Sequence, residues 1–180
     1  MGIVKKIVLG LVAVIALLAV GGFFLPADQR VEREVVIEAS SERVYDVVRD
    51  FDQFNSWSPW FDLDPDARYE QSGTAGTVGS SHAWVSEKPE VGSGRQTITS
   101  LTPYSNVSIN LEFDGQPPAR TEFRLAETGD ATRVVWTFET NLGANPLMRY
   151  FGLVIDKFVG RDYEKGLSQL KVYIESGAST

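Results

Sequence analysis

The chain has 180 residues, with 17 Lys and Arg against 24 Asp and Glu, and it contains no cysteine. This length suits one ordinary domain plus a short appendage, and the lack of cysteine excludes disulfides and a cysteine nucleophile. Only two basic residues and no acidic residue precede Pro26, so the rest of the chain has a net charge of −9. Such an acidic body repels nucleic acid, and we expect no nucleic-acid partner.

The first element is an uncharged apolar run, residues 7–25, that begins with Ile7 and ends with Leu25. As a helix it would be about 28 Å long, which matches the hydrocarbon core of a bilayer. Two interpretations remain open, a cleaved secretory signal and a retained membrane anchor. The length of the run and the bulky residues 23–26, where a signal peptidase needs small side chains, favour the anchor.

The charges that flank this run predict its orientation. Lys5 and Lys6 precede it and place the amino terminus in the cytoplasm, although two arginines beyond its other end make the asymmetry small. We therefore expect a single-pass membrane protein. Residues 1–27 form the anchor or signal segment, and residues 28–180 form one domain on the non-cytoplasmic side.

The body opens with a predicted strand at residues 30–38 and two short helices. Ser40 or Ser41 is the N-cap of the first helix, and Asp50 begins the second. The loop that follows, residues 55–61, is rich in aromatic side chains. It would either cover the mouth of a cavity or rest against the bilayer, where tryptophan is favoured.

Six further strands are predicted from the alternation of apolar and polar residues between turn residues. They span residues 68–71, 77–86, 95–102, 106–113, 120–125 and 133–140. Consecutive strands joined by short turns form an antiparallel meander. One face of this sheet is apolar and needs a cover.

The last predicted element is a long amphipathic helix, residues 145–175, with Asn145 as its N-cap. Its apolar residues recur at helical spacing. They are Leu147, Phe151, Val154, Ile155, Phe158, Val159, Leu167, Leu170 and Ile174. A helix of this length needs tertiary packing, so we expect it to cover the sheet. Gly152, Gly160 and Gly166 let it approach the sheet, let it bend, or only relieve crowding, which is the interpretation that we favour.

A helix that crosses a curved sheet leaves internal space unless large side chains fill it, and ligand pockets are mostly apolar. The candidate wall residues, which would otherwise be core, are Trp57, Trp60, Trp84, Trp136, Phe138, Phe151, Ile155 and Phe158. His82 is the only histidine and shares a strand face with Trp84. It would orient a ligand hydroxyl, act as a general base, or be a hydrogen-bonded structural residue.

The sequence predicts no metal site, cofactor or catalytic triad. One histidine without cysteine argues against zinc. Asp62, Asp64 and Asp66 have the spacing that begins a calcium loop, but Ala67 and Gly73 stand where the turn glycine and the closing glutamate belong. No Ser-His-acid pattern is visible around the histidine.

Four segments resemble the polyketide cyclase/dehydrase-like branch of the START-like (SRPBCC) superfamily. They are VVIEASSERVY at 35–45, FDQFNSWSPW at 51–60, TRVVW at 132–136 and YEKGLSQLK at 163–171. The resemblance covers nearly all of residues 30–175. It implies a helix-grip fold with a deep apolar cavity between sheet and C-terminal helix, and relatives that include lipid carriers, aromatic cyclases and chaperone activators. The family has no common catalytic motif, so the resemblance assigns no catalytic residue.

We therefore expect an α+β helix-grip fold, with a curved antiparallel sheet of six to seven strands around the C-terminal helix and one N-terminal transmembrane helix. The main hypothesis is a membrane-anchored module that binds a hydrophobic small molecule or lipid. One alternative is a polyketide cyclase/dehydratase-like enzyme, which needs a polar partner such as Tyr69 or Tyr104 beside His82. Another is a chaperone-activator-like interaction module, with a filled core and an exposed apolar patch.

Overall fold

A seven-stranded antiparallel sheet and a long C-terminal helix make up the body in the computed structural model, which describes residues 2–177. The elements are α1 (Ile3–Gly22), β1 (Asp28–Ile37), α2 (Ser41–Val48), α3 (Phe51–Phe54), β2 (Arg68–Ser72), β3 (Ser81–Val85), β4 (Ser93–Thr102), β5 (Asn106–Phe113), β6 (Ala119–Thr128), β7 (Ala131–Asn141), a 3-10 helix (Met148–Phe151) and α4 (Gly152–Glu175). The strand order is β1-β7-β6-β5-β4-β3-β2. The predicted α+β helix-grip fold is confirmed.

The short helices begin where their caps predict. The Ser40 hydroxyl accepts a hydrogen bond from the backbone N–H of Arg43, and the Asp50 carboxylate accepts one from the N–H of Asp52. The predicted strand at residues 77–86 is too long, since β3 starts only at Ser81. The preceding residues form a turn in which Gly79 has φ +90°, a conformation that glycine adopts without strain.

The apolar helix α1 spans Ile3–Gly22 and has a mean hydropathy of 2.6 over its most apolar 18 residues. It begins earlier and ends earlier than the predicted run of residues 7–25, because Phe23–Leu25 form a turn that precedes Pro26. By length and composition it is able to cross a membrane, and a signal sequence would have the same properties.

The long helix α4 packs against β1 and across one face of the sheet. Its C-terminal part is buried as predicted, with Leu167, Leu170 and Ile174 all in the core. Its N-terminal part differs from the prediction. The stripe residues exposed there are Leu147, Phe151, Val154 and Phe158, each 40–49% exposed. The α-helix also starts at Gly152 rather than at the predicted residue 145, because residues 148–151 form a 3-10 turn.

One aromatic pair joins α4 to the centre of the sheet. The ring of Tyr163 stacks on Trp136 of β7, with centroids 3.8 Å apart and planes 15° apart. The Tyr163 hydroxyl lies 2.9 Å from Oγ1 of Thr121, which also accepts a 2.7 Å hydrogen bond from Nε1 of Trp136. Each buried polar group in this cluster therefore has a partner, as buried polar groups require.

The helix glycines allow close approach, so the favoured interpretation that they only relieve crowding is wrong. A Cβ atom on Gly166 would lie 2.7 Å from the Trp136 ring and 3.2 Å from Pro59. Gly160 lies against the guanidinium group of Arg33, which bonds two α4 carboxylates, those of Asp156 and Glu164. At Gly166 the rigid tryptophan ring leaves no room for a side chain, whereas the neighbour of Gly160 is the flexible end of Arg33.

Gly166→Ala is expected to destabilise the protein by about 1–2 kcal/mol, because the added methyl group overlaps a rigid ring and outweighs the better helix propensity of alanine. The urea midpoint of the full chain in detergent measures this effect. Ser168→Ala, at an exposed position of the same helix, is the control and leaves the midpoint unchanged or slightly raised. A Gly166→Ala midpoint equal to that of the control would contradict the close-approach explanation.

Candidate functional site

A cavity of about 250 Å³ lies between the N-terminal half of α4 and the sheet. Its wall is largely aromatic, with side chains from β3, β5, β7, α4 and the loop after α3. The aromatic wall residues used below are Trp60, Trp84, Phe113, Trp136, Phe138 and Tyr163. The volume is slightly below the usual range for ligand pockets, about 300–1,000 Å³, which favours a compact apolar ligand.

The exposed lining residues mark the opening of the cavity. They lie on the β3–β4 turn with Glu90 and on the β5–β6 turn with Asp114, and the half-buried Asp162 of α4 lies on the lining as well. The strand register places both turns at the sheet end where β1 begins, because the β5–β6 turn adjoins the end of β7, which pairs with the start of β1. The opening is thus at the end of the body that α1 enters.

His82 lies on the cavity wall and is 1% exposed. Its ring is packed among Phe51, Phe54 and Tyr69, with centroid distances of 6.0, 5.6 and 5.3 Å. Within residues 2–177, neither ring nitrogen has a hydrogen-bond partner. Burial lowers the pKa of His82 to about 4, so the imidazole is neutral at pH 7.

Gln96 of β4 lies directly opposite His82 in the strand pairing and also lines the cavity. It is 4% exposed, and its amide nitrogen has no partner among the described residues. Sequence reasoning missed Gln96, although strand alternation places it on the same face as the buried Ile98 and so predicts an inward side chain.

Sequence reasoning also missed a hydrogen-bonded pair of polar side chains on the cavity wall. Thr121 and Tyr163 line the cavity and bond each other, while the Thr121 hydroxyl donates to the carbonyl of Thr137. Burial raises the pKa of the Tyr163 hydroxyl, which therefore stays neutral at any physiological pH. Thr121 alternates with the inward Phe123, so its orientation was readable from the sequence.

A family model described as polyketide cyclase/dehydrase and lipid transport matches residues 28–175. The chain belongs to this family. No curated protein sequence matches it at a significant level.

Solved structures share the fold of this polyketide cyclase/dehydrase family member. Protein CV1439 from Chromobacterium violaceum has a TM-score of 0.60 at 15% identity, over 82% of this chain and 98% of that one. CalU16 from Micromonospora echinospora has a TM-score of 0.54 at 18% identity, over 84% and 85%. The di-domain ARO/CYC protein StfQ from the steffimycin biosynthetic pathway has a TM-score of 0.64 at 10% identity, over 86% and 53%. At these identities the similarity shows the fold alone.

In this family member, five of the nine residues predicted for the site share the cavity wall. They are Trp60, His82, Trp84, Trp136 and Phe138. Trp57 is 1% exposed and lies in the core, where its ring meets Trp136 edge-on, so it does not form the expected cover over the mouth. Ile155 is also in the core, whereas Phe151 of the 3-10 helix and Phe158 of α4 are exposed.

The two tyrosines considered as partners for His82 are engaged elsewhere. Tyr69 packs beside the imidazole, but its hydroxyl donates to the backbone carbonyl of Asp64 at 3.3 Å. Tyr104 lies in the β4–β5 turn and contacts Glu42. Within residues 2–177, neither tyrosine forms a hydrogen bond with His82, and the Asp52 carboxylate acts on the imidazole only through its charge, which opposes the lowering of the His82 pKa by burial.

Lowering the pH from 7 to 5 is expected to destabilise the wild-type protein more than His82→Leu. The pKa of His82 is about 4 in the folded state and about 6.5 when unfolded, so the unfolded state binds the proton first. The stability that comes from keeping His82 neutral is complete above pH 6.5 and is lost as the pH falls toward 4. Most unfolded carboxylates titrate near or below pH 4.5, so this window reports mainly on His82. Urea midpoints at pH 7, 6 and 5 measure the difference, and parallel pH profiles would contradict it.

Proposed function

We propose that this protein is a membrane-anchored binding module that holds a compact hydrophobic molecule in its internal cavity. The observation that carries the proposal is the aromatic cavity between α4 and the sheet, at about 250 Å³. The family description, which includes lipid transport, supports a binding role. The cavity volume favours a single compact skeleton over a lipid with two acyl chains.

Contacts between α1 and the body support a retained anchor. The Tyr150 hydroxyl donates a 3.0 Å hydrogen bond to the carbonyl of Leu18, inside α1. Gly22 lies so close to Pro146 that any side chain there would overlap the proline carbonyl. The Arg149 guanidinium group donates to the carbonyls of Phe23 and Leu25. These contacts support residues 1–27 as a retained anchor for the body of residues 28–180. Lys5 and Lys6, before the apolar run, favour a body on the non-cytoplasmic side.

An exposed apolar surface adjoins this anchor, and we name it the membrane-facing patch. It consists of Phe23, Phe24, Leu147, Met148, Phe151, Val154 and Phe158, each at least 40% exposed. Contiguous apolar surfaces of this kind mark interaction sites. The patch continues from the end of α1, so the bilayer interface is the occupant that we propose. The body is acidic, so apolar contact rather than attraction to anionic headgroups would hold it there.

The cavity opening lies at the same end of the body as the membrane-facing patch. Asp162, on the cavity lining, follows Phe158 by one helical turn, so the two side chains share a helix face. An apolar ligand would therefore pass between bilayer and cavity without crossing bulk water. Binding and exchange at the membrane surface explain the anchor and the cavity together.

The neutral, unpartnered His82 favours binding over turnover, since a histidine with a pKa of about 4 is a weak base at neutral pH. A cyclase or dehydratase activity would instead show as turnover, by the full chain, of a polyketide-like compound that carries carbonyl or hydroxyl groups, which mass spectrometry of the recovered compound detects.

Filling the cavity is expected to weaken ligand binding about tenfold. Val159 lines the cavity, and Val159→Phe inserts a ring into it, whereas Val172→Phe makes the same change at a 65% exposed position of the same helix. The probe is 2-ethylnaphthalene, equilibrated with the full chain in lipid nanodiscs and measured against empty nanodiscs. Retention of the probe that exceeds empty nanodiscs equally in wild type and Val159→Phe would contradict a binding function for the cavity.

The membrane-facing patch is tested by site-specific photocrosslinking. Replacement of Phe158 by p-benzoylphenylalanine is expected to give lipid adducts on illumination of the nanodisc-embedded chain, because this side chain lies in the bilayer interface. Replacement of Val172, near the other end of α4, is the control and should give none. Equal adduct yields at the two positions would show that the body is not oriented on the bilayer in this way.

A further inference from the structure

Two neighbouring polar side chains on the cavity wall are buried without hydrogen-bond partners. His82 and Gln96 face each other across β3 and β4 and are 1% and 4% exposed. Within the described part of the chain, both imidazole nitrogens and the amide nitrogen of Gln96 lack partners. Buried polar groups in folded proteins almost always have partners, so a pair of this kind on a cavity wall needs an explanation.

We infer that His82 and Gln96 bind the polar end of the ligand, which is the carbonyl or hydroxyl oxygen of an otherwise apolar, uncharged molecule. The Gln96 amide nitrogen is a donor, and a neutral imidazole supplies one donor and one acceptor. A carbonyl oxygen accepts from both donors, whereas a hydroxyl accepts from the Gln96 amide and donates to the unprotonated imidazole nitrogen. This inference rests on the proposed binding function and adds the chemical class of the ligand.

The charges around the cavity favour a neutral ligand. Glu90, Asp114 and Asp162 lie on the lining near the opening, and no Lys or Arg is among the lining residues that the structure describes. A carboxylate or phosphate would pass these acids and then be buried without a cation, which is costly. Ketones, alcohols, phenols and amides avoid both costs, whereas fatty acids and anionic lipids do not.

The position of the pair also orients the ligand. His82 is three residues from Val85, where β3 ends toward the opening, which corresponds to about 10 Å along a strand. The polar groups of Thr121 and Tyr163 already bond each other. The polar end of the ligand would therefore enter first and reach His82 and Gln96, while its apolar skeleton lies against Trp84, Phe113 and Phe138 nearer the opening.

Three compounds with one skeleton test this inference. They are 2-acetylnaphthalene, which carries a neutral carbonyl, 2-ethylnaphthalene, which has no polar group, and 2-naphthoate, which is anionic. Each is equilibrated with the full chain in nanodiscs and measured against empty nanodiscs. We expect wild type to retain the ketone about tenfold better than either other compound, the difference expected for one or two hydrogen bonds.

Gln96→Leu removes the amide with little change in volume. It should lower ketone affinity about tenfold and leave 2-ethylnaphthalene affinity unchanged. Gln29→Leu makes the same change outside the cavity and should alter neither. The urea midpoint of unliganded Gln96→Leu should equal or exceed that of wild type, because an unpartnered polar group has been removed. A structural role for Gln96 would instead lower this midpoint.

The possible failures are distinguishable. If wild type retains none of the three compounds above empty nanodiscs, the proposed binding function fails. If wild type retains the ketone and the hydrocarbon equally, the cavity binds ligands but His82 and Gln96 do not recognise a polar end. Preferential retention of 2-naphthoate would overturn the assignment of a neutral ligand. The compound series on wild type decides these points even if Gln96→Leu does not fold.

Discussion

The stacking of Tyr163 on Trp136, completed by their shared contact with Thr121, fixes the position of α4 on the sheet. A helix of 24 residues has many possible placements on an apolar sheet face, and hydrophobic burial alone does not choose among them. The stacked rings and the two hydrogen bonds at the Thr121 hydroxyl select one placement of α4, because these directional contacts form in a single geometry. Gly166 belongs to the same constraint, since it lets the helix backbone reach the tryptophan ring.

The cavity follows from where this contact lies along the helix. From Tyr163 onward, α4 is held against the sheet by Leu167, Leu170 and Ile174. Before Tyr163, the helix is held by the buried Ile155 and by the ion pair between Asp156 and Arg33 of β1. The other side of this N-terminal half stays open, and the cavity and its opening occupy that space. This half of α4 and residues 147–151 before it carry exposed apolar side chains beside α1, so α1, these side chains and the opening share one end of the body.

The sequence predicted the order of the elements, the caps of the two short helices and the antiparallel meander, because these depend on local spacing and on turn residues. The predicted cap of the long helix, Asn145, was wrong, since α4 begins at Gly152. The sequence did not predict which part of the apolar stripe on α4 is covered. Periodicity identifies an apolar face of a helix, and Leu167 and Phe158 both lie on that face. Leu167 is buried and Phe158 is exposed because the sheet and loops cover only part of the helix. Trp57 shows the same limit, since its loop position predicted exposure while the packing of Trp136 placed it in the core.

Polar residues on inward strand positions were the signal that sequence reasoning used least. Alternation places Gln96 and Thr121 on inward positions, yet the residues predicted for the site were aromatic or aliphatic apart from the single histidine. Gln96 and Thr121 differ in whether the fold supplies hydrogen-bond partners for their side chains. Thr121 has its partners within the fold and so contributes to stability, whereas Gln96 and His82 have none among the described residues. Buried polar groups without partners destabilise the empty protein. A ligand that forms hydrogen bonds with them regains this free energy on binding, which explains why such groups persist on a cavity wall.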